Sequence, residues 1–538
     1  KKCESMKGLN ELKKANKGSI VPIYETVDSI SNAEEYFEKI SDYGRKKNSI
    51  LLESADIITK YGEKSIGSAN PCLKVKGRGK NFEITALNDL GKRFLKEIKK
   101  DLGFCDSLKV SESKISGTLE IGKKILSEEE RLRQKTHADV LRAIVFKLKP
   151  AYQPFEVYGG LMGAIAYDFI DQFEKLPKNK KDVLKEPDYE MNFYDNLFLI
   201  DHKKKQITFI ANALIFGKKD KAKELKRCEK IIENYKNALN SKIPIGKKPT
   251  GKKPVVKTDT SKKEFVRIVS SLKKHVLKGD VFQVVPSRTI ISTYSAEPLD
   301  IYDSLRKLNP SPYMFYFSNS TGILLGSSPE TFIKVDGDKT KRIHIRPIAG
   351  TVPRGKKNGK IDKELDEKYA NQLRNDKKEV AEHTMLIDLA RNDVAKVSVA
   401  GTRVCERPYT VEKYSHVQHL VSYVSGILKP EFDALHAYLA SMNMGTLTGA
   451  PKVEAMKLIR KKEKTRRGFY GGSIGYLTPS GDFDSAIVIR SMSLQKGKAY
   501  VRAGAGIIFD SKPEKEFLET EKKARAALKA IEIAEMKK

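Results

Sequence analysis

Two pairs of glutamates, each three positions apart, are the part of this sequence best suited to bind a cation. Glu379 and Glu382 lie in KEVAEHTMLIDLARND (378–393), where apolar residues recur at helical spacing. Glu516 and Glu519 repeat the spacing near the C-terminus. Residues three apart share one face of a helix, so two such helices could offer carboxylates to one Mg²⁺ ion. Solvent-exposed helix faces carry such pairs too, and the residues alone leave both interpretations open.

Groups that bind anions precede the second pair. The segment KAYVRAGAGIIF (498–509) is interrupted by 504–506, whose backbone N–H groups could donate to an anion. Arg490 could hold a carboxylate through two hydrogen bonds. Ser511 and Glu514 have the spacing of a capping box, which predicts a helix starting there. The set suits a dicarboxylate bound with Mg²⁺, and surface glutamates with a structural arginine are the alternative.

The elements that position these residues belong to a large globular chain. Its 538 residues exceed one small core, and a hydrophobic content of 39% excludes a mostly disordered chain. The stretch 242–261 is rich in Pro, Gly and Lys without periodicity, which predicts a linker. We therefore expect a mobile lead-in at 1–20, an N-terminal domain at 21–241 and a C-terminal domain at 262–530. Apolar runs fall short of the roughly 20 residues that span a bilayer, so no membrane association is expected.

The formal charge of +33 raises nucleic-acid binding as an alternative of another class. The lysines are dispersed and are not interleaved with aromatic residues that could stack on bases, so we expect no nucleic-acid partner. The five cysteines are odd in number and far apart, which argues against a disulfide framework. The N-terminus lacks the apolar region of a secretory signal, so the expected location is the cytoplasm.

Nine successive motifs carry a resemblance to a known family. The sequence from about residue 45 to 530 resembles the chorismate-utilising enzymes, specifically the large subunits of anthranilate synthase. The fold implied is α/β (α+β), with large antiparallel β-sheets and helices on their outer faces. The motifs are NPSPYMFYF, GSSPETF, IRPIAGTVPRG, KEVAEHTMLIDLARND, YSHVQHLVSYV, MGTLTGAPK, RRGFYGGSIGY, DSAIVIRSM and RAGAGIIFDSKPEKEFLETEKKA.

The resemblance implies a lyase that carries out the first step of tryptophan biosynthesis. Ammonia would attack C2 of chorismate as the C4 hydroxyl leaves, and the aminodeoxyisochorismate intermediate would then lose pyruvate to give anthranilate. Mg²⁺ would bind Glu382 and Glu519, with Glu379 and Glu516 supporting them. The substrate contacts carried over are Gly350, Thr351, Thr446, Tyr470, Arg490, Gly504, Ala505 and Gly506.

Two further residues take catalytic roles through the resemblance. Glu330, in SSPETF, matches the acid that protonates the departing hydroxyl, and water leaves far better than hydroxide. His419, in HVQHL, matches the histidine of the elimination stage. It also alternates with Val417 and Val421 as a structural strand residue would, so a structural role is its alternative.

Related enzymes of the family are distinguished at two positions. Aminodeoxychorismate synthases carry a lysine where Ala349 stands in PIAGT, and alanine cannot act as a nucleophile. Isochorismate and salicylate synthases use a lysine base to activate water, and the comparable segment GDVFQVVPSR presents Gln283. We therefore expect ammonia as the nucleophile, and the sibling activities remain alternatives.

The resemblance also implies feedback inhibition by tryptophan and a partner. The inhibitor site would be formed by Glu53, Ser54, Pro312, Tyr313 and Met314, and Ala486 replaces a cysteine that close relatives can carry. None of the five cysteines lies in the G-x-C-x-G elbow of a glutaminase. We therefore expect a separate glutamine amidotransferase subunit, in a heterotetramer of two large and two small subunits.

Overall fold

The computed structural model describes residues 6–29, 32–54, 64–120, 128–217, 219–414 and 417–537. Its α-helices are α1 (Leu9–Lys14), α2 (Ala33–Ile40), α3 (Asp89–Ile98), α4 (Glu128–Arg133), α5 (His137–Val145), α6 (Asp220–Leu239), α7 (Lys262–Leu277), α8 (Pro298–Leu308), α9 (Lys363–Asn375), α10 (Lys377–Val397), α11 (Ala434–Ser441), α12 (Gly445–Thr448), α13 (Lys452–Lys462) and α14 (Pro513–Glu535).

The strands before residue 242 are β1 (Ser19–Asp28), β2 (Ile50–Glu53), β3 (Lys64–Ser68), β4 (Leu73–Arg78), β5 (Asn81–Ala86), β6 (Ser107–Val110), β7 (Lys114–Thr118), β8 (Lys149–Pro150), β9 (Gly160–Ile165), β10 (Tyr189–Tyr194), β11 (Asn196–Asp201) and β12 (Gln206–Ile215).

The later strands are β13 (Val256–Thr258), β14 (Gln283–Val284), β15 (Ser287–Thr293), β16 (Tyr313–Ser318), β17 (Ile323–Ser328), β18 (Thr331–Asp336), β19 (Arg342–Ile345), β20 (Ile348–Pro353), β21 (Lys356–Lys357), β22 (Lys360–Ile361), β23 (Val404–Lys413), β24 (Val417–Ile427), β25 (Gly449–Ala450), β26 (Ser473–Leu477), β27 (Phe483–Ile487), β28 (Ser491–Gln495) and β29 (Lys498–Gly504).

Two large sheets contain most of these strands. One has the order β13-β15-β29-β28-β17-β16-β2-β3-β11-β12-β1-β8, and the other has the order β20-β24-β19-β18-β27-β26-β9-β10-β4-β5-β7-β6 with β23 beside β24. Apart from the parallel contact of β1 with β8, the neighbours are antiparallel. The predicted α/β fold with large antiparallel sheets is confirmed.

Strand β16 shows how the two faces of a sheet are used. Phe315 and Phe317 are buried in a core that also contains Ile333 and Met162 from the other sheet. Tyr316, which points to the opposite face, is buried with residues of α2, α8 and α14. Because side chains alternate along a strand, one face of β16 packs against the second sheet and the other against helices.

Both sheets contain strands from before and after the predicted linker 242–261. In the first sheet β2 pairs with β16, with Glu53 opposite Met314. In the second, β9 pairs with β26. Residues 256–258 of the stretch form the edge strand β13. The division into an N-terminal regulatory and a C-terminal catalytic part stays a prediction. No helix in the described part of the chain is long and apolar enough to cross a membrane.

Candidate active site

Helix α10 covers the segment predicted to be helical and carries the first glutamate pair. Its N-terminus is capped by Asp376, whose carboxylate accepts hydrogen bonds from the backbone N–H groups of Lys378 and Glu379. His383 is fully buried and has Nε2 2.7 Å from Ser422 Oγ. Burial lowers the pKa of His383 to about 4, so this histidine is a neutral structural residue.

Helix α14 carries the second pair, and its start differs from the predicted capping box. Its N-cap is Lys512, which makes no side-chain capping bond, and Pro513 is the first helical residue. Ser511 Oγ instead accepts from the N–H of Ile508. Proline at this position needs no N–H partner, which explains why the helix begins there without a capping box. Arg288 anchors the helix to β15 by donating to Thr520 Oγ1 at 2.9 Å.

The two glutamate pairs face each other. Burial raises the pKa of Glu379, and the negative charge of Glu519 on the other helix raises it further. Burial likewise raises the pKa of Glu382, and both Glu379 and Glu516 add to the increase. These mutual effects require the carboxylates of α10 and α14 to be close together. In the described part of the chain, however, no group of three or more His, Cys, Asp or Glu side chains is arranged so that it could hold a metal ion.

Two lysines lie beside these carboxylates. Lys378 Nζ is 3.9 Å from Glu382 Oε1, and Lys523 Nζ is 3.6 Å from Glu519 Oε1. Lys523 also donates to the carbonyl of Gly504 at 3.0 Å. Sequence reasoning missed Lys523, although its position four residues after Glu519 on a predicted helix places the two on one face.

Strand β20 brings Gly350 and Thr351 against the first glutamate pair. Gly350 has φ +60, and a Cβ there would lie 2.9 Å from Glu379 Oε2. Thr351 Oγ1 lies 3.0 Å from His419 Nδ1, and the carbonyl of Gly350 is 3.3 Å from the same nitrogen. His419 lies on β24, as its alternation with valines predicts. Burial lowers its pKa to about 4, so the imidazole is neutral near pH 7.

Glu330 occupies the two-residue link between β17 and β18. It is 7% exposed, and burial raises its pKa to about 7. The Thr446 hydroxyl and the charges of Lys523, Arg346 and Arg490 oppose that increase. Glu330 Oε1 and Thr446 Oγ1 are both buried, and the Thr446 hydroxyl is close enough to the Glu330 carboxyl to lower its pKa through a side-chain hydrogen bond. A buried carboxyl with a raised pKa can hold a proton near neutral pH.

Arg490 connects the acid to the glutamate pairs. Its charge interacts with Glu519, Tyr470 and Glu330, so the guanidinium lies among all three. It has φ 49, a left-handed conformation that is uncommon for arginine. Backbone strain of this kind persists where the surroundings fix it, and it clusters at functional sites.

The predicted glycine segment lies next to Tyr470 and Gln283. A Cβ on Gly504 would be 3.3 Å from the Tyr470 hydroxyl, and one on Gly506 would be 2.6 Å from Gln283 Nε2. Gln283 Oε1 is buried and has no partner in the described ranges. The N–H of Ala505 donates to the carbonyl of Pro286 at 3.2 Å. That amide is therefore engaged and is not free to bind an anion.

The five residues predicted to bind an inhibitor surround one separate cavity of about 250 Å³. Ser54 Oγ is buried there without a partner among the described residues. The Glu53 carboxylate accepts from Tyr302 at 2.7 Å and Arg306 at 3.0 Å, so it is already paired. This cavity is lined by Glu53, Ser54, Pro312, Tyr313, Met314 and also Ala486.

Comparisons with known proteins identify the family of the chain. A family model described as chorismate binding enzyme matches residues 108–529. Anthranilate synthase component 1 of Vibrio cholerae is 41% identical over 488 residues, covering 90% of this chain and 92% of that protein. The Haemophilus influenzae protein of the same name is 42% identical over 498 residues, with coverages of 90% and 92%.

Two solved structures resemble the fold of this chain. The crystal structure of anthranilate synthase component I from Streptococcus pneumoniae has a TM-score of 0.67 at 28% identity, covering 87% of this chain and 92% of that one. MenF, the menaquinone-specific isochorismate synthase from Escherichia coli, has a TM-score of 0.63 at 16% identity, covering 97% and 98%, and shows a shared fold. The chain belongs to the chorismate-binding enzyme family and, within it, to the anthranilate synthase component 1 proteins.

Proposed function

We propose that the chain is a lyase that converts chorismate and ammonia into anthranilate, pyruvate and water, the first step of tryptophan biosynthesis. The observation that carries this proposal is the buried carboxyl of Glu330, whose pKa burial raises to about 7 beside the Thr446 hydroxyl and the charges of Lys523, Arg346 and Arg490. A carboxyl of this pKa holds a proton near neutral pH and can give it to a leaving group.

In the first stage, ammonia forms the C2–N bond as the bond from C4 to its hydroxyl breaks. Glu330 protonates that oxygen, so it leaves as water, and both ring double bonds shift to give aminodeoxyisochorismate. Lys523, Arg346 and Arg490 all act on Glu330 electrostatically, so this region is positively charged. A dianionic substrate would be attracted to it, and Arg490 and Lys523 are the cations we assign to the substrate carboxylates. Thr446 and Tyr470 would add hydroxyl contacts.

In the second stage, a proton leaves C2 while the enolpyruvyl C–O bond breaks, and pyruvate departs as the ring becomes aromatic. His419 is neutral and can take up that proton. The Gly350 carbonyl can only accept, so Nδ1 carries the hydrogen and donates to it at 3.3 Å. Nε2 then holds the free lone pair. Gly350 and Thr351 thereby fix the tautomer and orientation of His419.

We assign a magnesium ion to the glutamates of α10 and α14, although no three such side chains among the described residues are arranged to hold a metal ion by themselves. When ionised, the four glutamates of α10 and α14 outnumber the adjacent lysines 378 and 523 by two charges, which matches one divalent cation. Carboxylates are the ligands that Mg²⁺ prefers. Glu382 and Glu519 would bind it, with Glu379 and Glu516 supporting them. When bound, the ion would supply positive charge to the ring carboxylate of the substrate.

Two residues support ammonia over water as nucleophile. Gln283, beside Gly506, cannot deprotonate water, and Ala349 cannot form a covalent bond to the ring. The chain therefore lacks the lysines that the sibling isochorismate, salicylate and aminodeoxychorismate activities need. We propose that a glutamine amidotransferase subunit supplies the ammonia, in a cytoplasmic heterotetramer of two large and two small subunits.

Feedback inhibition by tryptophan is proposed for the separate cavity. All five predicted residues line it, and the Ser54 hydroxyl, which has no partner among the described residues, can bind a polar group of the amino acid. Its volume of about 250 Å³ suits one small ligand.

The experiment that tests the proposed function compares the purified chain with its Glu330→Gln variant in chorismate, Mg²⁺ and ammonium. Wild-type protein should produce blue-fluorescent anthranilate and an equal amount of pyruvate. Glutamine has the same shape but no proton to give, so kcat should fall by about 10²-fold or more. Equal activity of the two proteins would contradict the role of Glu330, and a wild-type rate no higher than the blank would contradict the function.

A further inference from the structure

Tyr313 connects the inhibitor cavity to the link that holds Glu330. Its ring lines the cavity, and its hydroxyl lies 3.0 Å from both Thr331 Oγ1 and Asp484 Oδ1. An ionised carboxylate can only accept, so Tyr313 donates to Asp484 and receives its second hydrogen bond from Thr331. Burial beside Asp484 raises the pKa of Tyr313 well above its usual value, which keeps this donor protonated.

Both ends of the link are held by this one residue. The backbone of Tyr313 pairs with Ser328, the last residue of β17, and its hydroxyl contacts Thr331, the first residue of β18. Only Pro329 and Glu330 lie between Ser328 and Thr331. Because Tyr313 contacts the residues on both sides of this two-residue link, it restricts where the link can place the Glu330 side chain.

Strand pairing holds the link on both sides, with Ser328 opposite Tyr313 and Thr331 opposite Ala486, but the second ladder is irregular. The Glu330 carbonyl accepts from the N–H of Ile487 at 3.0 Å. The register of β18 against β27 then shifts between Thr331 and Ile333, so the ladder is irregular directly after the acid. The Thr331 hydroxyl bond to Tyr313 lies at this irregular point, where it adds a tertiary contact that the ladder lacks.

We propose that Tyr313 is a positioning residue for Glu330, acting through Thr331 to hold the acid in its buried pocket. This inference rests on the proposed role of Glu330 in catalysis. The charged groups that face Glu330 are Lys523, Arg346 and Arg490, and the Thr446 hydroxyl lies beside it. Loosening the link would let water reach the carboxyl among these cations. A ligand in the cavity that displaces the Tyr313 ring would disturb the acid by the same route.

The test uses Tyr313→Phe, which keeps the ring and removes the hydroxyl, with chorismate, Mg²⁺ and ammonium as assay. We expect kcat to fall about tenfold or more while the KM for chorismate changes less than about twofold, because the acid acts in the chemical step. The alkaline limb of the kcat/KM profile should move to lower pH, since a hydrated carboxyl loses the burial that raises its pKa.

Thr331→Val removes the same hydrogen bond from the other side and should reproduce both effects. The double variant should lose no more activity than either single variant, because the two hydroxyls act through one contact. Tyr152→Phe is the matched control: its hydroxyl donates to the Pro22 carbonyl, away from the link, and its kinetics should equal wild type.

If folded Tyr313→Phe and Thr331→Val keep the wild-type kcat and pH profile, or if their losses of activity are fully additive, the inference is wrong. Activity of the wild-type protein would leave the proposed function intact in that case. An inactive wild-type protein would overturn both. Should Tyr313→Phe fold poorly, as judged by its melting temperature, the Thr331→Val pH profile decides the question.

Discussion

The ammonium of Lys523 lies 3.6 Å from the Glu519 carboxylate, one helical turn along α14. Lys523 also donates to the Gly504 carbonyl, so it joins the helix to the glycine segment beside Tyr470. Its charge reaches Glu330 as well. The Lys523 ammonium therefore contacts Glu519 and the Gly504 carbonyl, and its charge acts on Glu330.

Replacing Lys523 by Met should weaken substrate binding. We expect the KM for chorismate to rise about tenfold to 100-fold, because a hydrogen-bonded charge pair with a carboxylate contributes roughly 1.5–3 kcal/mol. Steady-state kinetics followed by anthranilate fluorescence measures this. The neighbouring Lys522 is exposed, so Lys522→Met serves as the control with unchanged KM. Equal KM values in the two variants would contradict the assignment.

Glu382→Gln should change the response to magnesium. An amide is a poorer ligand than a carboxylate, so the Mg²⁺ concentration for half-maximal activity should rise about tenfold to 100-fold. Glu514→Gln, at an exposed position in the first turn of α14, is the control for a glutamate near the site without a proposed role. Titrating Mg²⁺ against initial rate compares the two. A wild-type magnesium response in Glu382→Gln would rule out Glu382 as a ligand.

The pH profile of kcat/KM follows from two buried groups. Glu330 must be protonated to act as acid, so activity should fall as pH rises through about 7, its raised pKa. His419 must be neutral, so its protonation reduces activity only as pH falls toward about 4, its lowered pKa. Rates in buffers of constant ionic strength test this. An alkaline limb that persists unchanged in Glu330→Gln would show that another group causes it.

Gly350→Ala should reduce activity more than stability. A left-handed conformation costs a Cβ-bearing residue roughly 1–2 kcal/mol, and Gly359 at φ +78 would incur the same cost. A Cβ on Gly350 would also press on Glu379 and Leu373, whereas one on Gly359 has nothing within 4 Å. Gly350→Ala should therefore lose more stability in urea than Gly359→Ala, and only Gly350→Ala should lose activity. Matching activities would show that the contact with Glu379 has no role.

Local patterns predicted much of the fold and of the candidate site. Apolar periodicity indicated α10, alternation placed His419 on a strand, and the family resemblance led to five residues that line one cavity, whose role as an inhibitor site stays a prediction. That Glu379 and Glu519 lie close together was expected only as a possibility. Residue spacing shows which side chains share a helix face but not which element packs against that face. The engaged amide of Ala505 and the two hydrogen bonds of Tyr313 depend on contacts between distant segments. Such contacts leave no signal in local spacing.

Ammonia, and not water, is the nucleophile in the proposed reaction. The direct measurement incubates the purified chain with chorismate, Mg²⁺ and nitrogen-15 ammonium, then identifies the products by chromatography and mass spectrometry. We expect anthranilate that carries the heavy nitrogen, together with an equal amount of pyruvate. Isochorismate or salicylate without the label, or chorismate left unchanged, would contradict it.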